Sequence, residues 1–370
     1  MYIHELQDWP RFHWKQEQIA EPLASVRHRQ GRLIGHMEAL GFGLQQEAVL
    51  KTLTADVLKS SEIEGEKLDA EQVRSSIARR LGMDIGALMP PDRNVEGVVE
   101  MMLDATRRYD QPLTTERLFG WHASMFPTGR SGMTRMSAGS WRRSDTGSMQ
   151  VVSGPVGRER VHFEAPKAER VEADMKRFLD WFEANAGIDP VLKAGQAHLW
   201  FVTIHPFDDG NGRIARAIAD MALARSESSP QRFYSMSAQI RQERNAYYQI
   251  LEETQKGSMD ITQWMDWFLG CLGRAIDGAQ NTLRAVLGKA RFWESIQGVQ
   301  INNRQRLVIN RLLDGLEGKL TTSKYARLAK CSQDTALRDI LLLIEPGILT
   351  RNAEGGRSTS YSLAQGPATA

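Results

Sequence analysis

Twelve residues near the middle of this chain, His205-Pro-Phe-Asp-Asp-Gly-Asn-Gly-Arg-Ile-Ala-Arg216, constrain its fold more tightly than any other stretch. An apolar segment, Ala197–Ile204, leads in, and a helical segment, Ile214–Ala224, leads away. The motif is therefore a tight loop between two helices. Gly210 and Gly212 let the backbone turn sharply and bring its N–H groups close to a ligand. Those groups sit at a helix N-terminus, where the dipole favours an anion. Arg213 and Arg216 lie three apart, share a helix face and converge on that anion. Two guanidiniums plus a helix N-terminus exceed the needs of one carboxylate and point to a polyphosphate. Asp209 can give Mg²⁺ an oxygen ligand, the rest of its shell coming from phosphate and water. Asn211 can orient or hydrogen-bond a phosphate oxygen. His205, with an ordinary pKa of about 6.5, can take a proton from a hydroxyl near neutral pH. The cradle holds the electrophilic phosphorus, and His205 activates what attacks it. A metal hydrolase built on His198, His205 and Asp209 is the competing chemistry. It lacks an i,i+4 histidine pair and gives the arginines no role.

Most of the chain carries helical periodicity. Apolar residues recur at spacings of three and four from Glu17 to Ser61, and Gly41–Gly43 breaks that run into two helices. A helix over Leu68–Leu81 is capped by Asp69, with Gln72 three residues on. Further helices are expected over Asn94–Tyr109, Thr115–Met125, Pro166–Ala184, Val191–Thr203, Gly212–Ala224, Ser237–Thr254 and Ile261–Leu287, with Trp181, Trp200, Trp264 and Trp267 as core. The formal charge is +2, hydrophobic residues make up 41% of 370, and Cys271 and Cys331 are the two cysteines. This is the composition of a folded chain with a real core. It excludes a disulfide framework and a four-cysteine zinc site. There is no apolar run of about 18 residues and no signal-peptide pattern at the start. A cytoplasmic protein with two buried thiols and no membrane partner is the expectation.

Two stretches differ. Val151, Val152, Val161 and Phe163 flank a Gly154-Pro-x-Gly turn within Gly139–Phe163, the pattern of a hairpin. An isolated hairpin is marginal, so this one must lean on the helices, and its edge can accept another chain. From Asn303 to Ser360 the charge is +4, leaving about −2 elsewhere. A helix, a turn at Cys331-Ser332, a second helix capped by Ser332 and a hairpin turning at Gly355-Gly356 make a winged-helix pattern.

The loop resembles the signature of the Fic family, His-x-Phe-x-(Asp/Glu)-Gly-Asn-Gly-Arg-x-x-Arg, at His205, Phe207, Asp209, Gly210, Asn211, Gly212, Arg213 and Arg216. The resemblance spans about Asn94–Phe268. It implies a mainly α fold: a Fic-type helical core with a β-hairpin flap, an N-terminal helical leader and a C-terminal winged helix-turn-helix. The corresponding boundaries are 1–93, 94–290 and 291–370. It implies transfer of AMP from ATP to a Ser, Thr or Tyr hydroxyl of a protein. His205 is then the general base, Asp209 the Mg²⁺ ligand, Gly210, Asn211, Gly212 and Arg213 the phosphate binders, and Arg216 the γ-phosphate holder. Gly212 argues against a related phosphorylating branch that carries lysine there. Val151, Val152, Ser153 and Gly154 fit the family's flap, onto which a target segment adds as a strand. Tyr247 and Tyr248 resemble a pair bordering the adenine pocket, and Gln255 stands where some relatives use Asn. Trp9-Pro-x-Phe-x-Trp14 looks like a leader domain of one bacterial subgroup.

Upstream, Lys59-Ser-Ser-Glu-Ile-Glu-Gly-Glu66 ends a helix, with Gly65 as its C-terminal cap. Three carboxylates at the negative end of a helix are locally unfavourable. Ser60, Glu64 and Gly65 resemble the family's inhibitory motif, (Ser/Thr)-x-x-x-Glu-(Gly/Asn). The resemblance implies that Glu64 pairs with Arg216 and keeps it from the γ-phosphate. An autoinhibited adenylyltransferase is the leading reading, and self-modification and homodimer formation are expected by analogy with relatives. One alternative reverses the chemistry, with Glu64 placing a water that removes AMP from a modified target. The other is a nucleotide-sensing regulator whose winged helix binds DNA or a protein.

Overall fold

The first two helices part at the glycine pair. α1 (Gln16–Glu38) and α2 (Phe42–Ile63) are separated by three residues, with Gly41 immediately before α2. The computed structural model describes residues 1–85, 89–143, 149–154, 158, 160–184, 187–316, 318–352 and 359–364. α3 (Ala70–Arg80) begins where Asp69 accepts the Gln72 N–H at 2.9 Å. α4 (Arg93–Arg107), α5 (Thr115–Met125), α6 (Ala168–Glu183), α7 (Pro190–Ile204) and α8 (Asn211–Glu227) follow, close to the expected bounds. The segment Ser237–Thr254 is two helices rather than one, α9 (Met236–Gln242) and α10 (Arg244–Gln255). They part at Glu243, whose carboxylate Arg274 grips through two bonds of 2.5 and 2.7 Å. α11 extends past the expected Leu287, over Thr262–Ser295, because Gly288 alone does not stop a helix.

The chain divides into two compact units, Met1–Gln280 and Asn281–Ala370. In the first, α7 and α8 are buried along nearly their whole lengths. α2 is a core helix as well, with Leu50, Leu53, Val57 and Ile63 buried. Asp56 in the same helix accepts the Ser237 N–H at 3.2 Å and a hydrogen bond from the Ser235 hydroxyl. Trp200 and Trp264 are core, whereas Trp181 and Trp267 are only half-buried because the polar edges of α6 and α11 reach solvent there. Cys271 is buried, but Cys331, in the turn before a surface helix, is half-exposed.

Short β1 (Arg130–Ser131) and β2 (Thr134–Arg135) form a ribbon after α5. β3 (Gln150–Ser153) and β4 (Arg160–Glu164) form the expected antiparallel hairpin, with a register shift between Val151 and Val152. Pro155–Gly157 of its turn lie outside the described residues. The second unit comprises the end of α11, then α12 (Asn303–Leu313), α13 (Thr322–Leu328), α14 (Gln333–Ile344) and antiparallel β5 (Leu349–Arg351) and β6 (Tyr361–Leu363). Ser332 caps α14 by accepting the Thr335 N–H. Gly355-Gly356 lie outside the described residues. α14 presents Leu337, Leu341 and Leu342 to solvent beside an exposed Arg338.

α4 and α5 cross so closely that a Cβ on Gly97 would lie 1.8 Å from the Ser124 carbonyl oxygen. Alanine there would ordinarily favour a helix by about 1 kcal/mol. The overlap is with backbone, which no rotamer change relieves. Gly97→Ala is expected to destabilise the fold by about 2–4 kcal/mol, read as a lowered urea midpoint.

Candidate active site

The loop grows out of an unusual helix end. α7 starts at Asp189, which accepts the Val191 N–H at 2.8 Å, and stops at His205, whose φ of 51° and ψ of 57° are left-handed. A non-glycine residue held there costs about 1–3 kcal/mol and persists only where its surroundings fix it. Arg142 does so. Its Nε donates to the His205 carbonyl at 2.8 Å, its backbone N–H donates to the Pro206 carbonyl at 2.9 Å, and its guanidinium also reaches the Pro166 carbonyl. His205 Nδ1 lies 3.2 Å from the Val202 carbonyl, which can only accept. That contact places the proton on Nδ1 and leaves the Nε2 lone pair as the base. Burial and the Arg142 charge lower the imidazole pKa to about 4, so it is neutral at pH 7.

Beyond His205, Phe207 is buried and stacks on His122 at 4.2 Å, with Trp141, Phe119 and Phe201 around it. Asn211 differs from expectation. Its Oδ1 accepts the Phe207 N–H at 2.9 Å and its Nδ2 donates to the Phe207 carbonyl at 2.8 Å. The side chain closes the loop instead of facing a ligand. Its backbone N–H, in the first turn of α8, is the group suited to an anion. Gly210 has a φ of +80°, and a Cβ there would press on Phe126 at 3.0 Å. Asp209 Oδ1 accepts the Gly210 N–H and Oδ2 accepts the Ser131 hydroxyl, each at 2.5 Å.

Both arginines are occupied by the end of α2. Arg216, fully buried, donates from Nε to Ser60 Oγ and from Nη2 to the Ser60 carbonyl, each at 2.9 Å, and from Nη2 to Glu64 Oε1 at 2.7 Å. Arg213 donates from Nη1 to Glu66 Oε2 at 2.6 Å and lies 5.1 Å from the centre of the Phe126 ring. Arg213 Nε and Arg216 Nη1 are buried without a partner among the described residues. Such orphan donors are costly unless something binds them. A Cβ on Gly212 would lie 2.2 Å from Glu64 Oε1, so the carboxylate rests directly on the glycine loop.

A cavity of about 460 Å³ opens beside these groups. It brings together Glu64 from α2, Val151, Val152 and Ser153 from β3, His205 and Gly212 from the loop, and Tyr247, Tyr248 and Gln255 from α10. Gly154, Asp209, Gly210, Asn211, Arg213, Arg216, Ser60 and Gly65 are not part of its lining. The three α10 residues also have protein partners. Tyr247 Oη bonds His198 Nε2 at 2.9 Å, Gln255 Nε2 donates to Thr203 Oγ1 at 3.2 Å, and Tyr248 Oη donates to the Ile63 carbonyl at 3.4 Å. His198 is thus tied to Tyr247. Among the described residues no three His, Cys, Asp or Glu side chains converge on one point.

Sequence reasoning missed several residues. Arg142 and His122 brace the loop, Arg244 donates to the Ile63 carbonyl at 2.9 Å, and Glu66 holds Arg213. Glu252 was missed too. It bonds His162 Nδ1 at 2.6 Å and Arg160 at 2.9 Å, tying the hairpin to α10, and Lys256, His162 and Arg160 together lower its pKa to about 2. For Glu66 the signal was present as an acid at a helix end where the dipole disfavours it. For Arg142 no local pattern distinguishes it from Arg143 beside it.

The buried His122 and His198 and the half-buried His205 make stability depend on pH. Burial lowers His205 and His122 to about 4 and His198 to about 3, whereas the unfolded chain binds those protons near pH 6.5. Between these values the unfolded state holds more protons, so stability falls as pH drops from about 6.5 toward 4. The slope is about 1.4 kcal/mol per pH unit per histidine. Urea midpoints at pH 7 and pH 5 are expected to differ accordingly.

Residues 112–223 match a family model described as the Fic/DOC family, and residues 2–83 match one described as a domain of unknown function, DUF4172. The chain is 34% identical over 116 residues to the protein adenylyltransferase Fic of Nematostella vectensis, covering 30% of this chain and 25% of that protein. It is likewise 34% identical over 100 residues to the protein adenylyltransferase fic-1 of Caenorhabditis elegans, covering 26% and 19%. The chain thus spans a quarter or less of the length of these relatives. A crystal structure of a Fic family protein from Desulfovibrio desulfuricans G20 aligns over 96% of this chain and 98% of that one, with a TM-score of 0.53 and 21% identity. That likeness establishes a Fic-type fold.

Proposed function

We propose that this chain, which carries a Fic domain over residues 112–223, is a protein adenylyltransferase held inactive by its own α2. It transfers AMP from ATP to a hydroxyl of a protein target. The observation that carries this reading is the pair of loop guanidiniums, buried, each with an unpartnered nitrogen, beside a cavity walled by His205. A polyphosphate supplies the acceptors those nitrogens lack. Gly210 and Gly212 let it approach the α8 N-terminus. His205 Nε2 takes the proton of the attacking hydroxyl as the hydroxyl oxygen bonds the α-phosphorus and pyrophosphate departs. Tyr247, Tyr248 and Gln255 line the side on which the adenine would rest, and Val151–Ser153 offer a strand edge for the target.

Asp209 fits a Mg²⁺ ligand. It is a half-exposed carboxylate whose present partners, one N–H and one hydroxyl, leave lone pairs on both oxygens. Mg²⁺ asks one or two carboxylates of a protein and takes the rest from phosphate and water. It would offset charge on the phosphates.

Inhibition follows from Glu64, which holds Arg216 and covers Gly212. Because the same carboxylate lines the cavity, it could also hold a water against an AMP-modified partner, and release of AMP from such a partner without ATP would mark that reverse reaction. DNA binding by residues 291–370 gains little support from α14, whose exposed residues are three leucines and an acidic Asp334 beside Gln333 and Arg338. Labelled-ATP transfer in native lysate tests the main reading. Label on proteins with Glu64→Gly that disappears on adding His205→Ala supports it, and absence of label from both would refute it.

A further inference from the structure

We propose that Glu66 is a second inhibitory carboxylate, which holds Arg213 as Glu64 holds Arg216, so that one helix end occupies both guanidiniums of the loop. The proposal rests on the nucleotide-binding reading above and adds a contact outside the Ser-x-x-x-Glu-Gly pattern, which ends at Gly65.

The local backbone aims Glu66 at α8. Gly65, with a φ of +87°, reverses the chain after α2. The Gly65 N–H bonds the Glu62 carbonyl at 3.1 Å and the Glu66 N–H bonds the Ser61 carbonyl at 3.0 Å. This pair of bonds is the left-handed helix stop that fixes the two residues beyond it. Glu66 then meets a guanidinium that is only 3% exposed, with Phe126 on its face. A cation so buried needs a counter-charge, and among the described residues Glu66 is the carboxylate that bonds it.

Charge balance separates Glu64 and Glu66 from their neighbour. Glu62 pairs with Lys59 at 2.7 Å and Arg241 at 3.5 Å, neither of which belongs to the loop. Glu64 and Glu66 pair with the two loop arginines, 2.7 and 2.6 Å away. At the negative end of a helix these two acids are tolerated because α8 supplies the opposing charge. Phosphate groups on Arg213 and Arg216 would displace both. Nucleotide binding and the docked carboxylates are therefore mutually opposed, and each must weaken the other by the same factor. It follows that Glu64→Gly alone leaves Arg213 engaged and the site half released.

The test is ATP affinity, measured by calorimetry with Mg²⁺ on the full chain. Glu66→Gln is expected to tighten ATP about fivefold, near the lower end of such couplings because Glu66 is half-exposed. Glu64→Gly with Glu66→Gln should exceed Glu64→Gly by a similar factor. Glu66→Asp keeps the charge but shortens the reach, so it should behave as Glu66→Gln does. Glu62→Gln should match wild type. Tightening by Glu64→Gly with none from Glu66→Gln overturns the second carboxylate and leaves the first. Equal tightening by Glu62→Gln, or a wild-type affinity for Glu66→Asp, would mean a general charge effect and also overturns it. Absence of ATP binding in every variant, each folded by its thermal midpoint, removes the nucleotide site and both carboxylate roles with it.

Discussion

Replacing His205 by alanine in a Glu64→Gly background is expected to lower AMP transfer by about 10²–10⁴-fold, the usual loss for a general base, and to leave ATP binding nearly unchanged. The phosphate-facing groups come from Gly210–Arg216, while His205 faces the cavity from the end of α7. Its Nδ1 proton is committed to Val202, so the reactive nitrogen can only be Nε2. The left-handed backbone at this position complicates a simple reading, because a residue that relaxes there could drag Pro206 and Phe207 with it. Asparagine tolerates that conformation better than most residues, and it cannot act as a base near neutral pH. His205→Asn should therefore lose transfer as fully as His205→Ala. Because burial holds the imidazole neutral down to about pH 4, the Glu64→Gly parent should show no loss of rate between pH 8 and 6 from protonation of this group. Transfer by either variant within threefold of the parent would assign proton removal to another group. Loss of ATP binding by both would make His205 a structural residue.

The loop was legible because its chemistry is contiguous. Gly210 and Gly212 are needed for reasons a sequence can display: one takes a left-handed φ and the other leaves no room for a side chain. Periodicity placed α2 and α6, since their buried faces recur at helical spacing. The break at Glu243 was invisible because it coincides with a bond to Arg274, 31 residues away. Asn211 shows the opposite failure. Its position beside the arginines suggested a phosphate contact, yet both ends of the amide are turned to the Phe207 peptide, Oδ1 accepting its N–H and Nδ2 donating to its carbonyl. Local spacing cannot weigh a ligand against a backbone peptide four residues away. Glu66 was read as one of three unfavourable acids, and the cation that makes it favourable lies 147 positions downstream.

Glu64→Gly is expected to raise labelled AMP transfer and self-modification by about tenfold or more, within the 1–3 kcal/mol range of such couplings. The variant should fold. α2 is anchored by Leu50, Leu53, Val57 and Ile63 and by Asp56 on Ser235 and Ser237, none of which involves the carboxylate. Removing one member of a buried ion pair normally leaves a costly uncompensated charge, but two conditions soften that here. Glu64 is 30% exposed, and an incoming phosphate can replace it. Arg216 does not swing free, because Ser60 still accepts from both Nε and Nη2. The variant therefore presents a guanidinium already aimed, with Nη2 partly released and Nη1 unpartnered, and ATP should bind more tightly. Arg216→Ala removes the anchor of inhibition and the phosphate contact together, so its activity should stay low. Glu64→Gly with Arg216→Ala should match Arg216→Ala alone. Equal rates for Glu64→Gly and wild type would remove α2 from control of the site. A double variant as fast as Glu64→Gly would show that the carboxylate acts by covering Gly212, where it lies within 2.2 Å of a Cβ position, and not by holding Arg216.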